Sequence, residues 1–172
     1  KDPGRQGNSH PNIVPYQVFD AADQQIIVAV GNDGQFGRLA EICGHPEWTT
    51  DQRFASNGAR VANRDQLVAI VSDAIAQKPA AQWLQQLEVA GIPAGPINRI
   101  SQALSDVQAQ HRQMVRTIAG VPQVGSPLRF DGARADAELP PPALGEHTRE
   151  LLDGLGLSSG EIERLRTAQV IG

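Results

Sequence analysis

The chain has 172 residues, with 19 acidic side chains against 15 basic ones and a formal charge of −4. That length fits one domain, or one domain with a tail, and an apolar content of 40% supports a packed core. A single cysteine excludes an internal disulfide framework and a multi-cysteine metal site. No Lys/Arg cluster offers a nucleic-acid footprint. No strictly apolar run is longer than that of Ile26 to Val30, which is far short of the roughly 20 residues that span a bilayer. No charged-then-apolar leader opens the chain, so a cytoplasmic protein, or part of one, is expected.

Lys1 to Asn12 is rich in Gly, Pro and Asn and reads as an arriving loop or linker. Val14 to Phe19 and Gln25 to Val30 read as two strands separated by a turn at Asp20-Ala21-Ala22-Asp23. From Phe36 the period changes. Phe36, Leu39, Ala40 and Cys43 share one helical face, Asn32 or Asp33 can cap its start, and Gly44 can end it. His45 to Ala62 has no clear period and reads as an ordered loop with short helical turns. Asn63 is expected to cap a second helix with a core stripe of Leu67, Ile70, Val71, Ala74 and Ile75. Pro79 suits the first position of a third helix, lined by Trp83, Leu84, Leu87 and Ala90 and stopped by Gly91.

Ile92 to Asn98 carries two prolines and reads as a stiff extended connection. Ile100 to Leu104 reads as one short helix. Met114 to Ile118, Val121 to Val124 and Leu128 to Phe130 read as strands that extend the sheet begun by the first hairpin. Ala133 to Ala143, with Pro140-Pro141-Pro142, reads as a polyproline-like linker. Two helices close the chain. Leu144, His147, Leu151 and Leu155 mark the first. The second starts with a capping box of Ser158 and Glu161 and a staple of Leu157 and Ile162. The fold class is therefore α+β: a small, mostly antiparallel sheet with packed helices, then a Pro-rich linker and a helical C-terminal tail.

The residues offer little self-contained chemistry. Gly125-Ser126-Pro127 lacks the flanking glycines of a nucleophile elbow. Cys43 lies on an apolar stripe and reads as packing. His10, His45, His111 and His147 lack metal-ligand spacing, and the last three read as structural or surface residues. Gly31, Gly34 and Gly37 have the wrong spacing for a dinucleotide loop and read as a strand–helix turn. The opening segment, Gly4-Arg5-Gln6-Gly7-Asn8-Ser9-His10-Pro11, has two readings. It can be a solvated linker, or its glycine N–H groups can approach an anion or a developing oxyanion.

A set of ordered segments narrows this choice. Gly7-Asn8-Ser9-His10-Pro11-Asn12-Ile13-Val14-Pro15-Tyr16-Gln17-Val18-Phe19 leads. Ala29-Val30-Gly31-Asn32-Asp33 and Asp51-Gln52-Arg53-Phe54 follow, with Asn57 and Arg60 behind them. Ala90-Gly91-Ile92-Pro93-Ala94-Gly95-Pro96-Ile97-Asn98, Pro141-Pro142-Ala143-Leu144-Gly145-Glu146-His147-Thr148 and Val170-Ile171 complete the set. In this order the chain resembles the family III CoA-transferases, also called the CaiB/BaiF family, and within them the formyl-CoA and succinyl-CoA dicarboxylate types.

The resemblance implies more than the residues alone. Family members are longer and carry an N-terminal Rossmann-like domain that binds CoA and bears an aspartate nucleophile. That aspartate passes through a mixed anhydride and an aspartyl-CoA thioester. By the resemblance, the chain is a C-terminal portion whose catalytic aspartate lies elsewhere, so no catalytic residue is assigned here. Residues 1–12 would arrive from the missing domain, 13–132 would form a small α+β domain, and 133–172 would return to the large domain. Gly7, Asn8, Ser9, His10 and Pro11 map onto an active-site loop that closes over the aspartate, although this sequence carries fewer glycines there.

An acyl-CoA and a carboxylic acid are the implied substrates. No permanently bound cofactor or metal is implied, a homodimer is, and nucleic acid and membrane are not. Without the large domain, a face of Leu144, Leu151, Leu152 and Leu155 would favour self-association. This chain alone is expected to be inactive. Two alternatives stand beside this reading: an acyl-CoA racemase or epimerase of the same family, and a non-catalytic interaction module.

Overall fold

Two β-branched runs split by a polar turn form the expected hairpin. β1 (Tyr16–Asp20) and β2 (Gln25–Ala29) pair antiparallel, with Tyr16 opposite Ala29 and Asp20 opposite Gln25. The computed structural model describes residues 4, 5, 7–135 and 139–172. They fall into two units, Lys1–Asn98 and Arg99–Gly172.

In the first unit, Ile26 and Val28 of β2 are buried while Ile27 between them is half-buried, as the two-residue period of a one-sided sheet requires. The sheet has a third strand where the sequence suggests only a stiff connection. β3 (Ala94–Pro96) pairs antiparallel with β2, Ile27 facing Gly95, in the order β1-β2-β3. Ala29 N–H to Pro93 O (2.9 Å) and Ile97 N–H to Gln25 O (2.9 Å) frame the pairing. Prolines are tolerated because β3 is a short edge strand.

α1 (Asp33–Ile42) buries Phe36, Leu39 and Ala40. Asn32, rather than Asp33, caps it by accepting the Gln35 N–H at 2.9 Å. Gly44 follows at φ +81°, a left-handed conformation that suits glycine. Next come a 3-10 turn at Pro46–Thr49, α2 (Asn57–Ala62) and α3 (Arg64–Ile75). Asn63 stands before α3 but does not cap it. Its amide donates backward to the carbonyl oxygens of Ala59 and Arg53 and closes α2 instead.

α4 (Ala80–Val89) starts one residue after Pro79, and its first N–H is capped from the hairpin turn: Asp23 Oδ1 accepts from Ala80 at 2.7 Å. Trp83 donates its indole N–H to Ile75 O at 2.7 Å, so a buried polar atom is satisfied. Phe19, Ile26, Val28, Val30, Phe36, Leu39, Leu67, Val71, Ile75, Trp83 and Leu87 form one continuous core.

In the second unit, α5 (Ile100–Ser105) is followed by a further short helix, α6 (Val107–His111). Asp106 starts α6 by accepting the N–H groups of Gln108 and Ala109. β4 (Val115–Ile118) and β5 (Val121–Val124) form a hairpin around Ala119 and Gly120, at φ +49° and +82°. β6 (Arg129–Phe130) and β7 (Ala133–Arg134) form another around Asp131 and Gly132, also at +49° and +82°. Both loops have the two positive φ angles of tight hairpin turns.

These are two separate two-stranded sheets, so the later strands do not extend the first sheet. β7 also occupies the start of the segment expected to be linker. Asp136, Ala137 and Glu138 of that segment lie outside the described residues. α7 (Thr148–Gly154) and α8 (Ser159–Thr167) close the chain. The capping box is as expected: Glu161 Oε2 accepts from Ser158 N–H at 2.8 Å, and Ile162 is buried. His147 stands at the N-cap of α7, but its side chain makes no capping bond. Leu144, Leu151 and Leu155 are exposed and Leu152 is half-buried. Among the described residues no helix is long and apolar enough to cross a membrane.

Candidate functional site

The segment Gly7 to Pro11 runs back along β1. That strand lies at the sheet edge, so its outer main-chain groups need partners. The loop supplies them in sequence. Asn8 Oδ1 accepts the Val18 N–H (3.1 Å), Ser9 Oγ donates to Gln17 Oε1 (3.0 Å), and His10 N–H donates to Tyr16 O (2.9 Å). The His10 ring stacks on Tyr16 with centroids 5.2 Å apart and planes 13° apart. His10 Nδ1 accepts the Asn12 N–H at 3.1 Å. A neutral ring in that bond carries its proton on Nε2. Gly7 sits at φ +61° with open space around its Cβ direction, and Pro11 is exposed.

A second set of residues, from α2 and α3, holds the downstream end of the loop and the residues just after it. Arg64 Nη2 donates to the carbonyl oxygens of His10 (2.9 Å) and Pro11 (2.8 Å). Asn57 donates to Asn12 O (2.8 Å) and accepts the Val14 N–H (3.3 Å). Arg60 is fully buried. It donates to Val14 O (2.8 Å), Phe54 O (2.9 Å) and Asp33 Oδ1 (2.6 Å), and its guanidinium lies 4.4 Å over the Phe36 ring. A buried cation is tolerable only when satisfied in this way.

The role of Arg64 is not evident from motif reading. Asn57 and Arg60 lie in α2, whereas Arg64 opens α3 beyond the break at Asn63, so no single helical face links the three. Among the described residues, nothing accepts from the main-chain N–H groups of Gly7, Asn8 or Ser9. A loop with its far end held and its near N–H groups uncommitted can donate to an incoming oxygen.

Among the described residues, the other residues read from the sequence make no hydrogen bond to the Gly7–Pro11 loop. Gly31 donates its N–H to the Gln35 side chain (2.7 Å), and Gly34 and Gly37 lie within α1. Cys43 packs against the core, and burial pushes its thiol pKa up to about 12, unlike a poised nucleophile. His45 stacks on Trp48 (4.7 Å, 6°), and its Nδ1 lies 2.9 Å from Glu47, whose pKa it lowers by hydrogen bonding. His111 ends α6 in an exposed position. His147 Nδ1 lies 3.7 Å from Glu150 in α7. Among the described residues no group of three His, Cys, Asp or Glu side chains could hold a metal ion.

A family model for CoA-transferase family III matches residues 1–148. The chain belongs to CoA-transferase family III. It is 36% identical over 177 residues to succinyl-CoA:glutarate CoA-transferase of Mus musculus, covering 99% of this chain and 41% of that protein. It is 39% identical over 132 residues to acetyl-CoA:oxalate CoA-transferase of Acetobacter aceti, covering 77% of this chain and 34% of that one. A crystal structure of a CAIB/BAIF family protein from Brucella suis superposes with a TM-score of 0.80 at 41% identity. It covers 90% of this chain and 41% of that chain. The family III chain described here thus spans about two-fifths of the length of these relatives.

Proposed function

We propose that this chain is the C-terminal part of a CoA-transferase that moves CoA from an acyl-CoA to a carboxylic acid. Relatives named for succinyl-CoA with glutarate and for acetyl-CoA with oxalate favour a dicarboxylate among the substrates. In this reading an aspartate outside the 172 residues attacks the thioester carbonyl and expels CoA thiolate, leaving a mixed anhydride. The thiolate then attacks the aspartyl carbonyl and releases the donor acid as carboxylate. The acceptor carboxylate and the same thiolate repeat these two steps in reverse, and the aspartate is regenerated. Each carbonyl attack places negative charge on oxygen, and fixed N–H donors stabilise that charge without reorganising.

The observation that carries the reading is the Gly7–Pro11 loop. Arg64 grips its downstream end and Asn57 the residue just after it, while the N–H groups of Gly7, Asn8 and Ser9 are uncommitted among the described residues. We assign those N–H groups to the reacting oxygen and the loop to covering the aspartate. The same reading has residues 133–172 returning to the large domain, and expects a cytoplasmic homodimer. The exposed Leu144, Leu151 and Leu155 are consistent with a tail that needs a covering partner.

Label exchange tests the activity. The protein from the complete reading frame should move radiolabel from free succinate into succinyl-CoA without added free CoA. The 172-residue chain alone should move none. Hydrolysis without exchange by the complete protein would defeat the proposal.

A further inference from the structure

The two arginines that hold the end of the loop and the segment after it are used differently. Arg60 spreads its fork over three elements: the carbonyls of Val14 and Phe54 and the carboxylate of Asp33. It ties the segment to the body of the unit. Arg64, at the first position of α3, directs a single nitrogen to two consecutive loop carbonyls, His10 and Pro11. Its other terminal nitrogen, Nη1, is buried with no hydrogen-bond partner among the described residues. An unmet buried donor is destabilising, so Arg64 is a poor choice for stability alone. Its hydrogen bonds serve only the position of the loop.

We infer that Arg64 is a positioning residue for the CoA-transfer step, acting through the His10 and Pro11 carbonyls to set where the Gly7–Ser9 N–H groups stand. This rests on the active-site role proposed for the loop. The chain of contacts is short. Arg64 fixes the carbonyls of residues 10 and 11, and His10 is fixed on its other sides by its N–H to Tyr16 O and its stack on the Tyr16 ring. With both in place, Ser9 and Asn8 keep their bonds to Gln17 and Val18, and Gly7 leaves the strand edge in one direction. Without Arg64, Asn57 still holds Asn12 but residues 10 and 11 lose their own anchor on this side, and the three N–H groups lose a fixed origin. The step they serve is carbonyl attack, so the loss falls on turnover rather than on acyl-CoA affinity.

The test uses the complete protein and the succinyl-CoA exchange assay. Arg64→Ala should lower kcat by about tenfold to a hundredfold, the scale of a small misplacement of a catalytic group. KM for succinyl-CoA should stay within about threefold, since ground-state binding is untouched. Added methylguanidinium should restore part of kcat and leave KM unchanged. Arg64→Gln provides the second variant should the alanine form not fold. A fall in kcat with unchanged KM and unchanged melting temperature supports the inference. Unchanged kcat in either folded variant overturns it. So does a loss confined to melting temperature, or to KM. Wild-type protein without exchange would instead overturn the transferase reading itself, so the two failures are distinguishable.

Discussion

Replacing Arg60 with methionine keeps most of the side-chain volume and removes the charge and the donors. Two carbonyl oxygens, Val14 and Phe54, each lose the guanidinium N–H they accept. The ion pair contributes much less than its 2.6 Å length suggests, because the Asp33 side chain is 61% exposed while Arg60 is 0% exposed. Asp33 stays hydrated when its partner is removed, so that pair is worth no more than about 1 kcal/mol. An unpaired buried acceptor costs roughly 1–3 kcal/mol, and the relieved desolvation of the charge offsets part of the sum. The net expectation for Arg60→Met is about 2–5 kcal/mol.

Asp33→Asn keeps the acceptor geometry at the start of α1 and should cost no more than about 1 kcal/mol, from the ion pair and the helix dipole together. Equilibrium urea unfolding of the two variants separates the terms. If Arg60→Met and Asp33→Asn lose equal stability, the ion pair dominates and the assignment of Arg60 to the main chain is wrong.

Cys43, Trp83 and the α8 cap carry the remaining predictions. Cys43, half-buried and with its thiol pushed up to about 12, should carry only about one thiolate in a thousand at pH 9; iodoacetamide should label the native protein far more slowly than the unfolded chain, and equal rates would contradict the raised pKa. Above pH 9 the unfolded chain gives up this proton while the folded chain keeps it, so stability should fall from about pH 9 towards pH 12. Trp83→Phe deletes the 2.7 Å bond to Ile75 O and weakens the Lys78 ammonium's ring contact; urea unfolding should show a loss of roughly 1.5–3 kcal/mol. Glu161 is held below the usual carboxylate range by bonds from Ser158, so the cap stabilises α8 at neutral pH and is lost as pH falls through that lowered pKa. Protection factors at Glu161 and Ile162, taken against the intrinsic exchange rate at each pH, should therefore fall in acid, and Ser158→Ala should flatten that dependence.

Local signals in this sequence translate directly into structure. The Ser158/Glu161 box, the Asn32 cap and the Phe36-Leu39-Ala40 stripe are decided within one or two helical turns. The β1–β2 hairpin is decided by its turn and its alternation. Pairing partners are less legible. β3 is hidden by Pro93 and Pro96, because propensity registers the missing N–H groups and not the edge position at which their loss is harmless. The β6–β7 hairpin turns on Asp131-Gly132, a strong local signal overshadowed by the proline run behind it. The strands of residues 115–124 are recognisable as strands, but nothing in their alternation says which strand they meet.

The same limit applies to the site. Gly7 to Pro11 is recognisable as a loop and by its resemblance to the family. The grip of Asn57, Arg60 and Arg64 depends on hydrogen bonds to residues more than 40 positions away, and because the helix breaks at Asn63 no single periodicity points to it.

The account's central claim is that these residues supply the loop while the reacting carboxylate lies on another part of the protein. Peptide mapping of the complete protein, quenched during turnover with succinyl-CoA, tests it most directly. The prediction is a single CoA adduct, released by hydroxylamine, on an aspartate outside residues 1–172. An adduct on Cys43 or on any aspartate or glutamate of this chain, or turnover with no adduct at all, would contradict it.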